Sequence, residues 1–179
     1  MIDFTDSANP IEIAYFDRGP IMKDEMITGG YWSVYYYEGA IYGTEITRGL
    51  DILKLIPSEY LSENEIAAAE LAYPLIGSRR LFNPQQQVPM TWPARPVVAR
   101  AYIDQLLKDK ALEEDAAQRI IERLDLVDVA MEKGGNNRLA RQINRLELSV
   151  DALNVNAMTQ HRLEKLNATL KEIAEGLSK

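Results

Sequence analysis

Two kinds of hydrophobic spacing divide this chain. Up to Pro57, apolar and polar positions alternate in short runs; beyond it, apolar positions recur every three to four residues. "IEIAYFD" at 11–17 sets Ile11, Ile13 and Tyr15 against Glu12, Ala14 and Phe16. "YWSVYYY" begins at Tyr31, "AIYGTEIT" at Ala40 and "LDILKL" at Leu50, with Glu38-Gly39 and Arg48-Gly49 between them. Turns this short between alternating runs signal antiparallel hairpins, with glycine supplying the positive φ. The pattern predicts a four-stranded antiparallel meander that stops at Pro57. Trp32, Val34 and Tyr36 alternate with Tyr31, Ser33, Tyr35 and Tyr37. Both faces of such a sheet are apolar, and both need covers.

After Pro57 the pattern turns helical. Ser62 and Glu65 have capping-box spacing ahead of "IAAAELAY", and Pro74 ends that helix. Residues 75–94 hold three prolines and three consecutive glutamines, the composition of an extended connector. Pro96 suits a helical first turn, and Ala99, Tyr102, Ile103 and Leu106 share a face. Leu112, Ala116, Ile120, Leu124, Val127 and Met131 form the next stripe, broken by "GGNN" at 134–137. Two more stripes follow: Leu139, Ile143, Leu146, Val150, Leu153, then Leu163, Leu166, Leu170, Ile173, Leu177. Narrow apolar stripes with charged flanks are those of bundle helices. Either four helices form the bundle, or three do while the first packs on the sheet. The fold class is therefore α+β: a four-stranded antiparallel meander over 1–57, a capping helix and Pro-rich connector over 58–94, and a helical bundle over 95–179.

Composition narrows the function. The formal net charge is −7, and residues 1–60 carry ten acidic against four basic side chains. An acidic aromatic segment repels phosphate, which argues against nucleic acid as a partner. The chain has no cysteine, so disulfides, thiolate metal sites and a cysteine nucleophile are excluded. Its one histidine, His161, falls off the buried stripe set by Leu163, Leu166 and Leu170 and is expected on the surface. One histidine cannot build a zinc site, and no calcium or phosphate-binding loop is present. No cofactor is expected. Asp17, Glu45 and Asp51 are the carboxylates nearest a glycosidase arrangement. Asp17 with Arg18 and Glu45 with Arg48 read instead as pairs at turn edges. Arg79-Arg80 forms a small basic cluster in the connector. No apolar run approaches the roughly 20 residues of a membrane span. The start, "MIDFTDSANP", lacks the regions of a signal peptide.

The front segment resembles a blade of the LVIVD-repeat β-propeller family. The residues that carry this are "DSANPIEIAYFD" (6–17) and "VYYYEGAIYGTEITRGLDILKL" (34–55), with Asp6, Asn9, Pro10, Tyr42, Gly49, Leu50, Ile52 and Leu53 in the family's places. Thr44-Glu45 stands where that family often has Ala-Asp. The helical part is more weakly similar to three-helix modules of the FIVAR type. The resemblance implies the C-terminal part of an exported or surface-displayed protein, whose partners are further blades or a second copy. The chain thus reads as a non-enzymatic structural or protein-interaction module. The other reading is a carbohydrate- or peptide-binding module using Tyr31, Trp32, Tyr35 and Tyr37 as its aromatic platform.

Overall fold

The computed structural model describes residues 1–75, 89–146 and 156–178, in two compact units, Met1–Thr91 and Trp92–Lys179. The first unit is built on a sheet of β3 (Tyr31–Tyr37), β4 (Ala40–Glu45) and β5 (Gly49–Leu53), antiparallel in sequence order. Two short ladders stand apart from it. β1 (Ile2–Asp3) pairs with β2 (Ile11–Glu12), and β6 (Tyr73–Pro74) pairs with β7 (Met90–Thr91). The α+β class stands, but the meander has three strands and not four. Only Ile11 and Glu12 of the first alternating run are in a strand, and their partner is β1. The remainder of that run turns away at Asp17, whose carboxylate accepts the Gly19 N–H at 2.7 Å, with Gly19 at φ +73°. No closed barrel or propeller occurs among the described residues.

Local chemistry explains the turns. Glu38 and Gly39 both take positive φ, 47° and 79°, the conformation of a type I′ hairpin turn. Helix α1 (Glu63–Glu70) starts with the expected capping box: the Ser62 hydroxyl accepts the Glu65 N–H, and the Glu65 carboxylate accepts the Ser62 N–H. Glu70, at the other end of α1, lies so close to Gly39 that a β-carbon there would stand 2.9 Å from its side chain. α1 is thereby placed beside the β3–β4 turn.

The second unit is a bundle of α2 (Pro96–Lys108), α3 (Glu114–Glu132), α4 (Asn137–Ile143) and α5 (Ala157–Leu177). Its core is the set of stripes seen in the sequence. Ile103, Leu106, Leu124, Val127, Ile143 and Leu166 are fully buried, and Leu163, Leu170, Ile173 and Leu177 line the inner face of α5. The α3 stripe differs at both ends: Ala117 is buried while Ala116 is half-buried, and the stripe ends on buried Ala130, with Met131 exposed. From Val127 a step of three, not four, keeps the side chain over the core. α4 is shorter than its apolar stripe, ending at Ile143; Val150 and Leu153 lie outside the described residues, as does the Arg79-Arg80 pair. Gly134 and Gly135 (φ +91° and +103°) turn the chain between α3 and α4, and Asn136 caps α4 through the Arg138 and Leu139 N–H groups. The same turn rests on the end of α5, where the Asn136 N–H donates to the Leu177 carbonyl at 2.9 Å.

Polar contacts brace the helices. Arg100 on α2 reaches Asp125 and Asp128 on α3, both at 2.7 Å. Burial pulls the Arg100 pKa down, but its hydrogen bonds to Asp128 and Asp125 outweigh that and hold it above the ordinary value. Thr159, fully buried at the start of α5, donates to Asp109 or to the Asn156 side chain, and Asp109 also receives Arg162.

Candidate functional site

The sheet register decides what the aromatic stretch presents. Ser33 pairs with Thr44, Val34 with Gly43, Tyr35 with Tyr42, Tyr36 with Ile41 and Tyr37 with Ala40. Strict alternation would put Tyr31 with Tyr35 and Tyr37. A β-bulge between Tyr31 and Ser33 breaks it and pairs Tyr31 with Glu45. Tyr31 therefore joins the face of Val34 and Tyr36, and its ring lies over Gly43, where a β-carbon would stand 2.6 Å from it. Trp32, the extra residue of the bulge, is 82% exposed.

The four aromatic residues picked from the sequence thus do not form one platform. Tyr35 and Tyr37 share a face with Tyr42, Leu50 and Ile52, while Tyr31 lies on the other. No signal in the alternation reveals the bulge. The opposite face carries Val34, Tyr36, Ile41 and Leu53. Val34, Leu50 and Ile52 are more than half exposed. Tyr36 is half-buried; burial first, then the nearby Glu70 charge, raises its pKa.

Beside β3 and β5 a strap formed by residues 16–30 encloses a groove of about 380 Å³, lined in part by Phe16, Arg18, Tyr31, Glu45 and Arg48. Its polar groups are spent on one another. The Tyr31 hydroxyl donates to Asp51 at 2.6 Å, and Arg18 reaches the other Asp51 oxygen at 2.8 Å. The bond to Asp51 is the main reason the Tyr31 pKa is raised. Arg18 also stacks 5.8 Å above the Phe16 ring. Glu45 is 9% exposed and accepts backbone N–H groups from Gly30 at 2.7 Å, from Thr47 at 2.8 Å, and from Arg48. The Gly30 N–H contributes most to holding the Glu45 carboxyl below the usual carboxylate range.

This geometry corrects the sequence pairing. Arg18 bonds Asp51 and not its neighbour Asp17, which caps the strap turn instead. Glu45 holds the Arg48 backbone, while the Arg48 guanidinium reaches the Gly19 carbonyl at 3.3 Å. These partners lie in the strap, in the bend before β3 and in the turn after β4, none of which the alternating pattern describes. All three carboxylates considered for acid–base work are tied to structural donors. His161 is exposed, as its place on the helix predicts. Among the described residues no group of three metal-ligating side chains occurs, and no helix is long and apolar enough to cross a membrane.

The bundle carries a second groove, about 280 Å³, between the end of α3 and α4. Leu126, Val129 and Leu139 form its apolar floor, with Lys133 and Arg138 at its margin. The sequence stripes missed it because Leu126 and Val129 lie off the buried face of α3.

Compared with known proteins, the chain matches no family model, no curated protein and no solved structure. None of these comparisons identifies an LVIVD repeat or a FIVAR-like module.

Proposed function

We propose that this chain is a non-enzymatic protein-interaction module whose three-stranded sheet is its contact surface. One observation supports this above the others: large apolar side chains stand exposed on both faces of the sheet. Trp32 at 82%, Ile52 at 61%, Leu50 at 59% and Val34 at 53% are concentrated within a segment of some twenty residues. Clustered exposure of this kind marks an interaction site, unlike single scattered residues. Arg18, Glu45, Arg48 and Asp51 are engaged in holding the strap and turns, which leaves recognition at the sheet to shape and apolar contact. In the setting that the LVIVD resemblance implies, the partner is another blade-like sheet of a surface-displayed protein. Light scattering on a size-exclusion column, across a dilution series, tests the reading. A mass that rises with concentration from one chain toward two supports it; one chain at every concentration refutes self-association.

A carbohydrate- or peptide-binding module is the second reading, favoured by the exposure of Trp32 beside the tyrosines of β3. It predicts that oligosaccharides or extended peptides quench tryptophan fluorescence in the native chain. The quenching disappears in Trp32→Ala, where Trp92 remains as the reporter of nonspecific effects.

A further inference from the structure

We propose that two copies of this chain join edge to edge along β3, antiparallel and in a register centred on Tyr35. This rests on the interaction-module reading and names its partner and geometry. Among the described residues β3 is an edge strand of its sheet. Its two-residue hairpin makes Tyr37 and Ala40 a hydrogen-bonded pair, and so, by alternation, Tyr35 with Tyr42 and Ser33 with Thr44. The backbone N–H and C=O groups of Val34 and Tyr36 therefore point away from β4. A rank of outward backbone groups specifies its own occupant, another extended strand.

The two edges of the sheet differ in their defences. β5 carries Asp51, held by Arg18, and runs on to Lys54 and Pro57. Charge and proline are what native sheets use to block edge pairing. β3 has no charged residue and no proline from Tyr31 to Tyr37. Its one guard is the bulge at its start, which leaves Ser33–Tyr37 regular.

Charge favours the same edge. Residues 1–60 carry ten acidic and four basic side chains, so two copies repel across most of this unit. The uncharged β3 edge lets two copies approach without setting carboxylates directly opposite one another.

Centring the two-fold axis on Tyr35 uses all of the regular stretch. Val34 then faces Tyr36 of the second copy across paired backbone hydrogen bonds, Tyr35 faces Tyr35, and Ser33 faces Tyr37. Centring it on Val34 would set Tyr36 against the bulged Trp32. The product is a continuous six-stranded sheet, in which Tyr35, Tyr37 and Tyr42 of both copies share one face. A five-residue strand pairing lies at the low end of interface sizes, below about 1,200 Å² in total, so the dimer is weak and separates on dilution.

The absence of cysteine gives a clean test. Tyr35→Cys, Val34→Cys, Ser33→Cys and Tyr37→Cys are each oxidised with diamide, which takes up the two electrons and two protons released per disulfide. Far-UV circular dichroism and light scattering under reducing conditions confirm that each variant folds and associates like the native chain. Tyr35→Cys is expected to cross-link roughly tenfold faster than Val34→Cys, since directly opposed residues stand ~4.5–5.5 Å apart and diagonal ones ~7–8 Å. Ser33→Cys and Tyr37→Cys are expected to link when mixed and hardly at all when alone. This mixed pair carries the test by itself if Tyr35→Cys fails to fold. A concentration-dependent dimer with none of these linkages overturns the β3 register and leaves the interaction reading standing. Absence of any dimer overturns the pairing of two copies and leaves only a different partner sheet for the interaction reading.

Discussion

Replacing Gly135 and Gly134 separately by alanine isolates the contact that seats the α3–α4 turn on the bundle. Both glycines have positive φ, +91° at Gly134 and +103° at Gly135, so both alanines carry backbone strain of about 1–3 kcal/mol. A smaller loss of freedom in the unfolded chain offsets roughly 0.4–1 kcal/mol of it. The surroundings differ. A β-carbon at Gly134 meets nothing within 4 Å, whereas one at Gly135 stands 2.8 Å from the Leu177 carbonyl oxygen. Relieving that overlap moves the end of α5 away from the turn and breaks the Asn136 N–H bond to the same carbonyl, worth about 0.5–1.5 kcal/mol net. Gly134→Ala should thus cost about 1–2 kcal/mol and Gly135→Ala about 1 kcal/mol more. For a unit of this size, 1 kcal/mol corresponds to roughly 4–8 °C in Tm. Thermal melts followed by the helical circular dichroism signal should therefore place Gly135→Ala about 4–8 °C below Gly134→Ala. Equal Tm values would refute the argument, because strain would then be the whole cost and the turn would not be packed on α5.

Two further predictions concern the strap and the turns around the sheet. The Glu45 carboxyl has a lowered pKa in the fold, against an ordinary value of 4.5. Its contribution is therefore complete above pH 4.5 and disappears as pH falls through the lowered folded value. Backbone hydrogen exchange at Gly30, Thr47 and Arg48 should accelerate through that acid range relative to the bundle, and Glu45→Gln should remove the pH dependence; a native pH response in Glu45→Gln would contradict it. Asp51→Asn should bring the ionisation of Tyr31 down toward that of an ordinary tyrosine, read by NMR titration of labelled tyrosine rings. An unchanged Tyr31 midpoint would mean that the Asp51 charge is not what holds its proton.

The bundle was the most legible part of the sequence, and physical periodicity is the reason. A helical stripe fixes which residues face inward whatever the partner helix is, so Leu163, Leu166, Leu170, Ile173 and Leu177 all lie in the core as expected. Capping chemistry is equally local, and Ser62 with Glu65 reads directly as a helix start. The strand alternation of 11–17 was misleading. Alternation marks what a segment can do, while a ladder needs a partner at the right register, and only Ile11 and Glu12 find one. The four aromatic residues do not share one face, for a related reason. One extra residue at Trp32 reverses the side on which Tyr31 lies, and period-two reasoning carries no record of such an insertion. The roles of Glu45 and Asp51 were hidden because their partners are backbone amides and the strap residue Arg18, which folding alone brings together.

The proposed contact surface is the three-stranded sheet. Hydrogen–deuterium exchange, resolved by peptide and compared between concentrated and dilute protein, examines that directly. On concentration, protection should rise in peptides covering 31–37, with little change in those covering the bundle helices. Protection that rises in the bundle while 31–37 stays unchanged would contradict the account and move the contact surface to the helices.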